Sequence, residues 1–336
     1  MVNNEKHPDI KFGKTGVLIV NLGTPDSTSW LDIRKYLKEF LSDRRVIEVN
    51  PILWQIILNV FILNLRPSKT AEAYKKIWLK KENMSPLRYF TMSQTDKLNN
   101  RIGSDNLIVD YAMRYGDPSI KSKITRLKNL GCEKLIILPL YPQYAAATTA
   151  TVCDEVYRCL MKIRWQPSLQ IIPHYESEKL YIDALIQSIN KKVTEIAWKP
   201  DLIISSYHGI PKKYFDKGDP YQCYCQKTTR LIVEGFEKKI PIKTTFQSRF
   251  GPQEWLRPYT DKTFESLPKE GVKNILVICP GFASDCVETL EEISIQGKET
   301  FLNAGGQNFD LIPCLNDSES HIKLFESLVK KYYIGI

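Results

Sequence analysis

The sequence predicts an α/β protein built from two similar Rossmann-like halves, each a parallel sheet flanked by helices. Two observations carry this. Short β-rich apolar runs alternate with helical stretches, and three segments of the first half recur in the same order in the second. The runs lie at Gly16 to Leu22, Leu107 to Tyr111, Lys134 to Leu140, Leu202 to Ser206 and Asn274 to Cys279. Strands separated by helices pair in parallel, because each crossover returns the chain to the same end of the sheet. The loops that carry function then gather at the strand C-terminal ends.

The repeat is read from three correspondences. VLIVNLGTP (17–25) answers LIISSYHGIP (202–211), MRYGDP (113–118) answers SRFGPQ (248–253), and KLIILPLYP (134–142) answers NILVICPGF (274–282). Gly23 to Gly116 spans 93 residues and Gly209 to Gly251 spans 42, so the first half holds 51 extra residues (93 − 42) in that interval. This insertion, at about 51–109, contains the longest apolar run, Pro51 to Leu65, and reads as an accessory lip. A helix-like stretch ends near Trp198-Lys199-Pro200, dividing the chain into an N-terminal half, 1–198, and a C-terminal half, 199–336.

With 336 residues and 43% hydrophobic content the chain can bury a large core. Its first fourteen residues, MVNNEKHPDIKFGK, have neither an apolar h-region nor an Arg-rich transit pattern, which predicts a cytoplasmic protein. The run 51–65 is interrupted by Gln55, Asn59 and Asn64 and is shorter than the roughly 20 residues a bilayer span needs. Of eight cysteines only Cys223 and Cys225 are close, without the second half of a zinc site, so reduced and mostly buried thiols are expected. The net charge of +9 suits an anionic partner. Lys and Arg are spread along the chain with no helix-turn-helix, RRM or finger spacing, which argues against nucleic acid and leaves an acidic lipid surface or a carboxylate-bearing small molecule.

Histidines occur at 7, 174, 208 and 321, and only His208 stands at a strand end directly before a Gly-Ile-Pro turn, the mouth position of a parallel sheet. From position alone a turn-stabilising histidine competes with a functional one. The companion segment is Pro280-Gly-Phe-Ala-Ser-Asp285-Cys-Val-Glu288-Thr-Leu-Glu291-Glu292-Ile. Asp285 is a good N-cap with Glu288 at N3, so a capping box accounts for the first turn. It does not account for Glu292, four residues on, where a like-charge pair costs about 0.2–0.5 kcal/mol unless a cation intervenes. A line of carboxylates leading from a strand mouth suits a divalent cation that keeps some waters. A metal entering a tetrapyrrole displaces two pyrrole N–H protons, so a base is needed over one face, and a neutral imidazole or a carboxylate can take them.

In these residues the sequence resembles the ferrochelatases over nearly its whole length. The matching pieces, in order, are LIVNLGTP, FLSDRRV, SPL (85–87), AMRYG, LPLYPQY, SYHGIP, GDPYQCYCQKT, SRFGPQEWLRP and PGFASDCVETLEEI. The resemblance implies a lyase that inserts Fe(II), as substrate, into protoporphyrin IX held in a cleft, the terminal step of haem biosynthesis. It implies His208 and Glu288 as the catalytic and metal-site pair, with Glu292 and Asp285 on the metal path. Arg66, Lys69 and Tyr74 then serve porphyrin binding and Trp255 the pocket wall; the apolar face of residues 51–65, too short to span a bilayer and too extensive to leave in water, is itself expected to make peripheral membrane contact. Three positions depart from family patterns: Cys286 replaces a histidine found in some members, Gln296 replaces an acidic residue, and no cysteine follows Cys314, so no [2Fe–2S] cluster is expected. A chelatase for coproporphyrin or for another metal such as cobalt stays open. So does a non-catalytic porphyrin or haem carrier, against which the Glu288/Glu292 face argues. Oligomeric state is not legible in the sequence.

Overall fold

The computed structural model describes residues 10–333, so the first nine residues of the polar N-terminal segment lie outside the described part. Its frame is two four-stranded sheets. One contains β1 (Lys14–Gly23), β2 (Leu107–Tyr115), β3 (Cys132–Pro139) and β4 (Ser168–Ile171) in the order β2-β1-β3-β4. The other contains β5 (Leu202–His208), β6 (Ile242–Gln247), β7 (Asn274–Ile278) and β8 (Asn308–Leu311) in the order β6-β5-β7-β8. Every pairing is parallel. The two orders are the same, so the duplication read from the sequence is present in the topology.

Sequence periodicity finds the central strands because they are covered on both faces and run as near-continuous apolar segments; Val17 to Val20 are fully buried. It misses β4, β6 and β8. These are edge strands, and SLQI, IKTTFQ and NFDL carry polar residues, as strand edges do. Two correspondences also shift. Met113 donates its N–H to Pro118 and Phe246 to Pro258, each proline following a cis bond, so Pro118 matches Pro258 and the loop after β6 is the longer one. Gly116 and Gly251 are therefore not equivalent. Helix Pro86–Ile102, which the sequence assigns to the insertion, packs on β1 and β2 just as helix Tyr221–Gly235 packs on β6. It belongs to the repeated frame, and the added element is the helical stretch from Pro51 to Ile77.

The last helix of each half crosses to the other. Helix Lys179–Glu195 packs on helix Tyr221–Gly235, and helix Glu319–Tyr333 packs on β3 and helix Pro86–Ile102. One core accordingly unites Val17, Ile136 and Leu98 with Ile203, Leu276 and the Ile322/Phe325 face.

The added stretch starts at Asn50, whose side chain caps Ile52 and Leu53, with Pro51 in the first turn. It passes through a π-helical segment, Ile57–Ile62, into helix Leu63–Ile77. Wide turns and Pro67, which has no N–H, weaken the backbone ladder here. The Asn59 and Asn64 amides donate to the carbonyls of Gln55 and Val60, both at 2.8 Å. These asparagines, read as interruptions of an apolar run, stabilise its irregular backbone.

Candidate functional site

β5 delivers His208 to the strand mouth. Its Nδ1 lies 2.7 Å from the carbonyl oxygen of Gly209. A carbonyl only accepts, so Nδ1 carries a proton and Nε2 is the ring nitrogen left for other partners. Opposite His208 in register is Gln247, the last residue of β6. Beyond β7 the chain turns through Pro280 to Asp285 and enters a π-helical segment, Glu288–Gly297, that holds the acidic residues.

The expected capping box is not formed. No side chain caps that segment, and Asp285 faces the other way. Its carboxylate is buried and accepts from Asn316 Nδ2 at 2.7 Å, from Cys314 N at 3.2 Å and from Thr289 Oγ1 at 3.1 Å. These bonds tie the strand-to-helix turn to the loop after β8 and take Asp285 off the metal path assigned to it from the sequence. Glu291 is likewise structural: it is buried, pairs with Lys76 at 2.8 Å and receives both its Gln296 amide bonds within 2.9 Å. Gln296, the departure noted above, is thus a donor where a carboxylate would repel Glu291.

Glu288 and Glu292 are left facing the cleft. Glu292 takes Ser248 N at 2.7 Å on Oε1 and Ser248 Oγ at 2.5 Å on Oε2. Burial pushes its carboxyl above the usual carboxylate range and Glu288 adds to this, while the Ser248 bonds and the nearby His208 oppose it. Glu292 therefore sits within electrostatic reach of both residues of the expected pair. Glu288 lies beside the buried Tyr36 and Tyr74 hydroxyls and the Cys286 thiol. Burial, with Glu288 next to it, holds that thiol far above its ordinary value, so Cys286 stays neutral. Among the described residues no three His, Cys, Asp or Glu side chains converge as a resident metal centre would.

Arg66 and Lys69 project from helix Leu63–Ile77 into a cleft of about 620 Å³ that Glu288, Glu292 and Phe250 also line. The Arg66 guanidinium lies 4.0 Å from the Phe250 ring centroid. Tyr74, from the same helix, is buried against Trp78 and borders Glu288 through a small crevice. Trp255 is buried, donates to the Phe250 carbonyl at 3.0 Å and packs over Gly209, where an added Cβ would meet its ring at 3.2 Å. It backs the turn that follows His208. A larger cleft, about 940 Å³, is lined by Asp43, Arg45, Arg114 and Asp154. Two ion pairs cross it, Arg114 with Asp43 and Arg45 with Asp154, and the first joins two of the sequence motifs, FLSDRRV and AMRYG.

Sequence reading did not single out Gln247 or Ser248. No periodic or spacing signal marks a polar pair at an edge-strand end; only their place in SRFGPQEWLRP and its preceding residue hinted at them.

Two sheets of matching order, with titratable groups at the strand mouths of the second, define a two-half α/β protein of the chelatase architecture. Solved structures agree: SirB from Bacillus subtilis with Fe3+ superposes with a TM-score of 0.59 at 11% identity, covering 95% of both chains. The sirohydrochlorin chelatase SirB from Bacillus subtilis subspecies spizizenii, in complex with cobalt, gives 0.57 at 9% identity over 95% of this chain and 94% of that one. At such identities the likeness is one of fold. Sequence relatives are nearer. The ferrochelatase family model matches residues 14–333. Ferrochelatases of Allorhizobium ampelinum and Rhizobium meliloti are each 53% identical, over 98% of this chain and 96% of the former, and over 99% of this chain and 98% of the latter. The chain belongs to the ferrochelatase family. It is a lyase that inserts iron, its substrate metal, into a porphyrin in haem biosynthesis.

Proposed function

We propose that His208 and Glu288 are the groups that meet the metal and the pyrrole protons, with protoporphyrin IX as the porphyrin and Glu292 on the ferrous ion's approach. The observation that carries this is a shared tether: Gln247, opposite His208 in register, donates to the Glu288 carbonyl at 2.8 Å and to Glu292 Oε2 at 3.4 Å. Insertion of Fe(II) releases two protons, one from each pyrrole N–H. Nε2 of His208, left free by the bond from Nδ1 to Gly209, is placed to act as one base, and Glu288, with no cationic partner among the described residues, is a second acceptor.

Arg66 and Lys69 supply cations at the rim of the same cleft and suit the porphyrin's propionates, with Tyr74 behind them. Trp255 holds the pocket wall through the turn after His208. The halves divide near residue 198, with the lip belonging to the first. No helix among the described residues is long and apolar enough to cross a membrane. The lip nevertheless exposes Ile52, Leu53, Ile56, Val60, Phe61 and Leu65, each more than half accessible, which suits shallow contact with a bilayer at the cytoplasmic face.

Anaerobic incubation with ferrous iron and protoporphyrin, followed by the Soret and Q bands, tests the reading. His208→Ala should lose insertion and keep porphyrin binding. Turnover near that of the unmodified protein would refute the assignment.

A further inference from the structure

Gln247 is nearly inaccessible, yet its amide is fully engaged. Its Oε1 accepts from Ser206 Oγ at 2.7 Å, and its Nε2 donates to the Glu288 carbonyl at 2.8 Å and to Glu292 Oε2 at 3.4 Å. One side chain thus ties β5 to the backbone and the carboxylate of the π-helical segment. Its neighbour Ser248 has φ +65°, a left-handed conformation that favours glycine. A glycine would adopt it at less cost but would lack the hydroxyl, and both the N–H and the Oγ of Ser248 are spent on Glu292. An unusual backbone held in place by two bonds to a site carboxylate is strain with a purpose.

A carboxylate offers about four lone-pair sites. Three donors occupy Glu292, one on Oε1 and two on Oε2, which leaves a single direction, on Oε1. We propose that Gln247 and Ser248 are positioning residues: together they clamp Glu292 so that it presents one fixed oxygen to the incoming ferrous ion beside His208 and Glu288. A freely rotating glutamate could instead chelate the ion through both oxygens and retain it, where the reaction requires the ion to move on to the ring. This rests on the role of the acidic face proposed above.

The test is a double-mutant cycle on the full chain, with ferrous iron varied at saturating protoporphyrin and thermal melts alongside. S248A should raise KM for iron roughly tenfold, the size expected for losing one hydrogen bond to a charged group, with a smaller change in kcat. In an E292Q background S248A should add nothing further. Q247L should behave as S248A does, but it also removes the bond to the Glu288 carbonyl, so S248A is the deciding variant if Q247L folds poorly. Equal costs of S248A in both backgrounds would overturn the clamp. So would a silent S248A beside an E292Q that raises KM, an outcome that leaves the acidic face intact. A silent E292Q would overturn the acidic-face reading and the clamp with it.

Discussion

Replacing Glu288 by glutamine removes one charge and almost no volume, so its two consequences can be weighed separately. The side chain has no ion pair among the described residues and makes no capping bond, and the like-signed Glu292 stands four residues on. Losing a like-charge neighbour on a helix is worth about 0.2–0.5 kcal/mol in the stabilising direction. Against that stands a bond from the Cys286 thiol, a weak donor that the glutamine oxygen still satisfies. The melting temperature should therefore move by no more than about 2 °C in a chain of this size. If Glu288 accepts a pyrrole proton, the same change should cut kcat by roughly 10²–10⁴, or about 3–5 kcal/mol of transition-state stabilisation. Catalytic and stability effects thus differ by about tenfold. Steady-state haem formation read beside calorimetric melts separates them, and full activity in Glu288→Gln would leave His208 as the sole supported group.

His321 is fully buried with only Nδ1 bonded, to the Asn316 carbonyl at 2.6 Å, and burial pulls its pKa down to about 4. A histidine depressed on folding contributes stability above its unfolded value of about 6.5, and this is lost as pH falls towards 4, on the order of 3 kcal/mol in all. Melts from pH 7 to 4 should fall less steeply in His321→Gln than in the parent, and equal slopes would refute the assignment. Asp43→Ala leaves Arg114 buried without its carboxylate and strips a 2.9 Å bond from Tyr115, so it should destabilise by about 3–5 kcal/mol in denaturant titrations. Serine at Ile56, Val60 and Phe61 together should leave the melting temperature within about 2 °C, because these side chains are exposed, while weakening co-sedimentation with anionic vesicles and raising KM for porphyrin.

How far the sequence reached depended on the kind of signal each feature leaves. Buried parallel strands such as β1 and β5 leave apolar runs, and a duplication leaves repeated words, so both were legible. The place of His208 at a strand mouth was legible because the apolar run of β5 ends directly before Gly-Ile-Pro. Asp285 was misread for a physical reason: an N-cap and a carboxylate that staples two loops have the same local sequence, and only Asn316, 31 residues on, decides between them. The π-helical turns at 57–62 and 288–297 were invisible too, since one or two turns are too short for a changed period to show. Gln247 and Ser248 work through contacts 41 to 45 residues away, and no local pattern encodes those.

The exchange of terminal helices between halves sets an order of events during synthesis. The first sheet emerges first, but the face of β3 and of helix Pro86–Ile102 that looks inward is covered by Ile322, Phe325 and their neighbours, which are made only after both sheets. Until helix Glu319–Tyr333 leaves the ribosome that apolar face has no cover, whatever secondary structure lies beneath it. The first half is completed by residues made after the second sheet, so removing helix Glu319–Tyr333 unsettles the N-terminal sheet as much as the sheet that precedes that helix in sequence.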